Sequence, residues 1–236
     1  MSSIDQLPAI RQLSEWGFVP VYHSIPEYLA AIETQPYRHT AIHSAIQLFK
    51  SALTPIEQQT RRSIVSLGCG RGFELVAERI VFGETAAITG VDKLPVLRHN
   101  DDLSQNICLA RASFLSKSME GIDGIVCVSG VPDLIVVRHP IPVVYPRRPK
   151  EVRREIDVYG QSIKPWVELA HKRSIPMLFS FYRTEKPLAG AFRTRLLEPI
   201  VGEACIKEGN RGKMVYRYYN RDGDEIVPDY YWLRVN

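Results

Sequence analysis

The chain has 236 residues, of which 45% are hydrophobic and 24% charged, and its formal net charge is +4. This length suits one core domain with an accessory segment, and the apolar content excludes a disordered or fibrous chain. No apolar run approaches the roughly 18 residues that a membrane-spanning helix needs, and the first residues lack the pattern of a signal peptide. Four scattered cysteines without a CxxC pair are typical of reduced thiols. We therefore expect a cytoplasmic protein that has no membrane contact.

The positive charge is concentrated in one segment. Residues 138–154 contain six basic residues and one acid, so this segment accounts for all of the net positive charge. Such a patch could bind RNA phosphates or an anionic small molecule. The alternative, which we favour, is a solvated loop and helix face in which Glu151 and Glu155 are interspersed.

The first sixty residues predict a helical N-terminal cap. A short helix begins at Pro26, a second with an apolar face of period 3.6 covers 37–53, and Pro55 ends it. From residue 61 short apolar strands alternate with helices, which is typical of a parallel sheet covered on both faces. The predicted strands are 63–67, 86–91, 106–112, 134–137 and 176–181, and the predicted helices are 73–82, 95–103 and 162–172.

The C-terminal part follows a different pattern. Residues 214–219 and 225–235 predict two antiparallel strands around the turn 220–223. Five of the sixteen prolines lie in 132–149, which predicts an extended, stiff loop leaving the fourth strand. The expected fold is a three-layer Rossmann-like sandwich with a mostly parallel seven-stranded sheet, antiparallel C-terminal strands and a helical cap. The expected domains are 1–60, the cap, and 61–236, the sandwich.

A glycine-rich loop carries the strongest functional signal. Gly68, Gly70 and Gly72 follow the first strand and lead directly into a helix. Glycines there permit unusual backbone angles and let a ligand approach the main chain. Twenty residues later the second strand ends in Asp92, where a carboxylate can accept hydrogen bonds from ribose hydroxyls. The spacing GxGxG, with Phe73 where dinucleotide sites have their third glycine, argues against NAD or FAD.

On these residues the segment 61–182 resembles the class I S-adenosylmethionine-dependent methyltransferases, whose first motif is similar to LDxGCGxG. The resemblance implies that S-adenosyl-L-methionine is the cofactor and that Gly68, Cys69, Gly70 and Asp92 bind it. Family members commonly have an acid two residues before the first glycine, where this chain has Ser66. The predicted cofactor site also includes Gly72 and Lys93, which adjoin these residues.

Further site residues are predicted around strands three and four. The resemblance implies that the loop after strand three contacts the adenine, for which Ala112, through its backbone, and Ser113 are the candidates. Arg138 and His139 follow strand four at the cleft edge, where ligands bind in open parallel sheets. Arg138 could hold a carboxylate or phosphate of the acceptor, or contact the cofactor. His139 could be a general base or a hydrogen-bonded structural group.

The acceptor pocket has no recognisable motif. If the N-terminal helices cover the cleft, Tyr37 and His43 could line this pocket. His39 and His43 have a spacing that can bind metal, but no third ligand is evident, and we expect no metal site. The aromatic C-terminal residues favour cross-strand pairs or a dimer edge, so a monomer or a homodimer is expected.

The leading hypothesis is a methyltransferase that acts on an oxygen or nitrogen of a small or medium-sized acceptor. One alternative is an RNA or tRNA methyltransferase with the same cofactor site. The other is a non-catalytic binding module that has kept the fold. The departure at Ser66 and the lack of an acceptor motif are the features that support this last alternative.

Overall fold

A seven-stranded sheet with helices on both faces forms the centre of the protein. The computed structural model describes residues 22–93, 100–138, 149–182, 186–210, 218–219, 225–226 and 230–236. The strands are β1 (Ser63–Leu67), β2 (Ala87–Asp92), β3 (Ser113–Ser116), β4 (Leu134–Arg138), β5 (Met177–Tyr182), β6 (Ile206–Asn210), β7 (Tyr218–Tyr219), β8 (Glu225–Ile226) and β9 (Tyr230–Val235).

The described helices alternate with these strands along most of the chain. A π-helical turn (Arg193–Leu197) and a 3₁₀ turn (Glu203–Cys205) flank the last short helix. The α-helices are α1 (Ile25–Ile32), α2 (Pro36–Ala52), α3 (Pro55–Thr60), α4 (Phe73–Phe82), α5 (Asn100–Ala110), α6 (Ile122–Ser129), α7 (Pro149–Arg173), α8 (Lys186–Phe192) and α9 (Glu198–Val201).

The sheet has the order β3-β2-β1-β4-β5-β9-β6. Strands β1 to β5 pair in parallel, whereas β9 lies antiparallel between β5 and β6. At the carboxyl end of β1, Leu67 pairs with Val91 on one side and Val137 on the other. The predicted Rossmann-like sandwich with antiparallel C-terminal strands is therefore confirmed.

Alternating residues of the strands pack into two hydrophobic clusters, one on each face. Val65, Val137 and Phe179 belong to the cluster beneath α7, and Ile64 and Val136 belong to the other cluster. Because both faces of the central strands are buried, these strands are continuous apolar runs in the sequence. This explains why most of them can be predicted to within one residue.

The N-terminal helices form part of the second cluster. Phe49 of α2 lies edge-on to Phe82 of α4, with 5.5 Å between ring centroids. Thr54 caps α3 in a capping box with Glu57, and the Glu57 carboxylate also binds the Arg234 guanidinium of β9. The segment 25–60 thus shares its core with β1 and α4, while the predicted domain division at residue 60 stays a prediction.

The predicted third strand, 106–112, is wrong. This segment continues α5 to Ala110, and β3 follows at Ser113. Leu103, Ile107 and Ala110 are buried at helical spacing on one face of α5. Their apolar character therefore comes from a helix that packs on the sheet and not from a buried strand.

Other segments differ from the prediction in extent. The helix α7 begins at Pro149 and not at residue 162, and α6 and β6 were not predicted. The predicted C-terminal hairpin is confirmed in part, since β7 pairs with β8 in antiparallel fashion, whereas β9 leaves it to join the main sheet. Residues 214–217, 220–224 and the loop residues 139–148 lie outside the described residues.

The pairing of β6 with β9 depends on a glycine. A Cβ atom at Gly209 would lie 2.5 Å from Cζ2 of the Trp232 indole, which covers this position from the paired strand. We predict that Gly209→Ala lowers the free energy of unfolding by about 1–3 kcal/mol, because the indole must move out of its packed position. Urea unfolding measures this change.

The matched control is Gly190→Ala in α8, where a Cβ atom would meet no described atom within 4 Å. Because alanine is the better helix former, this variant should be as stable as the wild type or slightly more stable. Equal stability of the Gly209→Ala protein and the wild type would contradict the packing assigned to Trp232.

Candidate functional site

The glycine-rich loop turns sharply at the carboxyl ends of β1 and β2. Gly68 and Gly70 have φ angles of 68° and 50°, in the left-handed region that favours glycine. The N–H groups of Gly68 and Cys69 both donate to the carbonyl oxygen of Val91, at 2.7 and 3.2 Å. A Cβ atom at Gly68 or Gly70 would meet no described atom within 4 Å. The described part of the chain therefore leaves space over this loop for a ligand.

Asp92 faces this loop. Its Oδ2 accepts a hydrogen bond of 2.7 Å from the Gly70 N–H, and the residue is half-buried. A carboxylate has about four acceptor positions, so this one side-chain bond among the described residues leaves capacity for ligand hydroxyls. Lys93 follows Asp92 as an exposed residue, and α4 begins directly after Gly72.

Two acidic side chains of α4 lie beneath the loop. Glu74 forms an ion pair with Arg138 of β4, with 2.6 Å between oxygen and nitrogen. Glu78, one turn further along α4, is fully buried and accepts a hydrogen bond from the hydroxyl of Ser66 in β1. Because α4 begins at the loop and packs on β1, both carboxyl groups are placed against the sheet.

Burial raises the pKa of the Glu78 carboxyl from its ordinary value of 4.5 to about 8. The hydrogen bond from Ser66 opposes this shift, the negative charge of Glu74 adds to it, and the cations of Arg138 and Arg79 oppose it. The pKa of Glu78 therefore lies above neutrality, and its carboxyl carries a proton at pH 7.

Cys69 is a packing residue of the loop. Burial raises the pKa of its thiol well above the usual value, and the carboxylates of Asp92, Glu74 and Glu78 add to this rise. A Cβ atom at Gly90 in β2 would lie 2.9 Å from the Cys69 sulfur, so the thiol fills the space that this glycine leaves. A neutral, buried thiol is a poor nucleophile.

A buried aspartate anchors the loop from the side of α5. Asp102 pairs with Arg38 of α2 at 2.6 Å and with Arg71 of the loop at 3.5 Å. Four residues further along α5, the Asn106 amide donates to the Arg71 carbonyl at 2.8 Å. The N-terminal helices and the loop are thus joined through one carboxylate, which no motif in the sequence indicates.

The prediction that Ala112 and Ser113 follow the third strand is wrong. Ser113 begins β3 and pairs with Thr89, three residues before Asp92, and Ala112 precedes it. Both residues therefore lie before the carboxyl end of β3 and not beyond it, where the glycine-rich loop lies. The residue after β3 is Lys117, whose N–H donates to the Asp92 carbonyl at 3.1 Å.

The predicted acceptor residues are described only in part. Arg138 ends β4 as expected, but its guanidinium lies buried against Glu74. His43 lies on α2 with its ring centroid 4.2 Å from that of His39. His139 and the side chain of Tyr37 lie outside what the structure describes. The structure therefore brings together Gly68, Cys69, Gly70, Gly72, Asp92 and Arg138.

Two general features of the described residues bear on the site. No helix among them is both long and apolar enough to cross a bilayer. Within the same part of the chain, no group of three or more His, Cys, Asp or Glu side chains is arranged to hold a metal ion.

Comparison with known proteins finds similarity only at the level of solved structures. No protein-family model matches the chain, and no curated protein matches it. A Thermoplasma acidophilum protein is similar with a TM-score of 0.47 and 15% identity over 84% of this chain and 88% of that chain.

Two further solved structures are similar to the same extent. Aeropyrum pernix fibrillarin, with natively bound S-adenosyl-L-methionine, has a TM-score of 0.49 and 12% identity over 84% of this chain and 76% of its own. Geobacter metallireducens precorrin-6y C5,15-methyltransferase has a TM-score of 0.45 and 12% identity over 81% of this chain and 85% of its own. At these values the likeness concerns the fold and does not transfer a function.

The buried carboxyl of Glu78 should make stability depend on pH. Since its pKa is raised in the folded state, folding favours the protonated form, and stability is lost as pH rises from about 4.5 to 8. Relative to Glu78→Gln, the wild type should lose up to about 1.4 kcal/mol per pH unit in this range. Urea unfolding of both proteins at pH 5, 6, 7 and 8 measures the difference.

The control for this experiment is Glu84→Gln, which changes an exposed glutamate that pairs with Arg111 on the surface. Its stability should follow that of the wild type at each pH. If the wild type and Glu78→Gln show parallel pH profiles, Glu78 does not have the raised pKa described above.

Proposed function

We propose that the chain is an S-adenosylmethionine-dependent methyltransferase. The observation that carries this proposal is the contact of Asp92 with the Gly70 N–H at the carboxyl ends of β1 and β2. A carboxylate at the end of the second strand suits the two hydroxyls of a ribose, and open sheets bind their ligands at this edge. The left-handed glycines leave room for a nucleoside against the backbone.

The loop is better suited to this ligand than to a dinucleotide. In dinucleotide sites a third glycine lets the helix pack closely beneath a pyrophosphate. Here that position is Phe73, whose ring is buried in the hydrophobic cluster beneath α4. The observed packing thus supports a ligand without a pyrophosphate.

When bound, S-adenosylmethionine supplies a methyl group on a sulfonium, from which a nucleophilic oxygen or nitrogen can take it. The role of the described residues is to bind and orient. Asp92 would hold the ribose, the loop from Gly68 to Gly72 would border the nucleoside, and Lys93 lies next to Asp92. Cys69 does not act as a nucleophile in this proposal, because its thiol is buried and protonated.

We propose an oxygen or nitrogen of a small or medium-sized molecule as the acceptor. His139, Tyr37 and His43 remain the candidates for the acceptor side of the site. Arg138 contributes through its ion pair with Glu74, since its charge is already balanced there. Arg138 is one of the six basic residues of segment 138–154. Because it is paired with Glu74, it contributes less to phosphate binding, and this lessens the support for RNA as the acceptor.

The first test of the proposal is cofactor binding by isothermal titration. Wild-type protein should bind S-adenosylmethionine and S-adenosylhomocysteine. Asp92→Ala should weaken binding by about 1.5–3 kcal/mol, or roughly 10- to 150-fold, because hydrogen bonds to a charged acceptor are lost. The matched control is Asp123→Ala, which removes an exposed aspartate of α6 and should bind like the wild type. Absence of binding heat from the wild type would end the proposal.

The second test concerns the space over the loop. Gly68→Ala should abolish or greatly weaken S-adenosylhomocysteine binding, since it strains the backbone by about 1–3 kcal/mol and places a methyl group where the ligand lies. Gly83→Ala is the control, because Gly83 also has a positive φ of 80° but lies at the other end of α4.

Both glycine variants should melt at a lower temperature than the wild type, but only Gly68→Ala should lose the ligand. Thermal melts with and without ligand give both quantities. A ligand-induced rise in melting temperature as large for Gly68→Ala as for the wild type would contradict this placement of the nucleoside.

A further inference from the structure

Glu78 is a buried carboxyl whose hydrogen bonding is incomplete. Its Oε1 accepts from the Ser66 hydroxyl, whereas its Oε2 has no hydrogen-bond partner among the residues that the structure describes. The side chain is fully buried beneath the glycine-rich loop, and its ionisation would raise the pKa of the Cys69 thiol. An unsatisfied polar atom in a native core calls for an explanation, and a binding role is one such explanation.

The charges that act on Glu78 come from two elements, α4 and β4. On its own helix, Glu74 raises and Arg79 lowers the pKa of the Glu78 carboxyl, and Arg138 of β4 lowers it. Arg79 is directed away from the loop, since its Nε donates to the Ala110 carbonyl at 2.7 Å. Other described titratable groups lie on the elements that pack against α4, but they are not among the main causes of the pKa shift of Glu78. They are Arg38, His39, His43 and Lys50 of α2, Glu57 of α3, Asp92 of β2, and Asp102 and Cys108 of α5.

The group formed by Glu74, Glu78 and Arg138 can take up one positive charge. The Glu74–Arg138 ion pair is neutral, so the group is neutral while Glu78 is protonated and carries one negative charge when Glu78 is ionised. A cation bound next to this group would favour the ionised form, because an opposite charge nearby stabilises a buried carboxylate.

The proposed ligand has such a cation at one end. If Asp92 holds the ribose at the end of β2, the two arms of the nucleoside extend in opposite directions along the edge of the sheet. An arm toward β4 would run toward the end of that strand, where Arg138 pairs with Glu74 and acts on Glu78. These charges match an amino-acid group better than a neutral base. The α-ammonium of the ligand's amino-acid part is therefore the cation expected near Glu78.

We propose that Glu78 releases its proton to solvent when the ligand binds and that its carboxylate then pairs with the α-ammonium of the ligand. The proposal rests on the proposed function, since it requires the nucleoside at Asp92. Ser66 holds Oε1 in both states, and Oε2 is the atom that gains a partner. In this proposal, α4 contributes Glu78 as a ligand-binding residue.

Proton release on binding tests the proposal directly. Titrations of the full chain with S-adenosylhomocysteine at pH 7, in two buffers of different ionisation enthalpy, should show release of about half to one proton per ligand. Because 5′-methylthioadenosine has the same nucleoside but no amino-acid part, its binding should release no proton. Equal proton release with both ligands, or none with either, would overturn the proposal.

The variant Glu78→Gln separates the carboxyl from other sources of protons. It keeps a group that can bond Ser66, should bind S-adenosylhomocysteine more weakly, and should release no proton. Glu84→Gln, which changes an exposed glutamate, should release as many protons as the wild type. Undiminished release from Glu78→Gln would assign the proton to another group and overturn the proposal.

The pH dependence of the wild type gives a test that does not depend on the folding of a variant. Between pH 6 and 7 the affinity for S-adenosylhomocysteine should rise up to about tenfold, while that for 5′-methylthioadenosine stays constant. A flat profile for both ligands would contradict the role of Glu78. If neither ligand binds at any pH, the proposed function itself fails, which is a different outcome from binding without proton release.

Discussion

The arrangement of the site depends on the parallel pairing of β1 with β2. This pairing places Leu67 beside Val91, so that the chain leaving β1 meets the end of β2 directly. Two successive N–H groups of the loop then share the Val91 carbonyl, and a third, that of Gly70, bonds to the Asp92 carboxylate. The backbone thus fixes the carboxylate next to the loop before any ligand is present. Preorganisation of this kind lowers the entropy cost of binding.

The same loop determines where α4 begins and therefore which residues it buries. Helical spacing places Glu74 and Glu78 on one face, four residues apart, and that face lies against β1 and β4. Two acids on the buried face of a helix are unfavourable for stability unless each is compensated. Arg138 compensates Glu74 fully, whereas Ser66 bonds only one oxygen of Glu78. Glu78 therefore keeps one oxygen for which the described residues supply no hydrogen-bond partner.

The sequence predicts those parts of the fold and the site that depend on residues close together in the chain. It does not predict the parts that depend on contacts between distant residues. The bounds of β1 and α4 agree with those that the sequence predicts, because a buried apolar run, three glycines and an amphipathic helix are all local signals. The end of β2 at Asp92 could be predicted for the same reason. The strand predicted at 106–112 fails because Ile107 and Ala110 are apolar for a tertiary reason, namely the packing of α5 on the sheet.

Long-range partners could not be predicted at all. Arg138 and Glu74 are 64 residues apart, and only the fold shows that they form an ion pair. Arg38 and Arg71 meet at Asp102 for a similar reason. A sequence pattern can place a charged residue at the end of a strand, but it does not show which opposite charge the fold will bring to it.

Ser66 stands where the methyltransferases that this segment resembles commonly have an acid, and its contact with Glu78 offers a physical reason for this difference. An acid at this position, beside the buried Glu78, would bring two carboxyl groups into contact, and one of them would have to stay protonated. Serine is small enough to accept Glu78 and supplies a hydroxyl that donates to it. The site therefore keeps one carboxyl beneath the loop, contributed by α4 in place of β1. A motif residue on the strand is thus best interpreted together with the helix residue that packs against it.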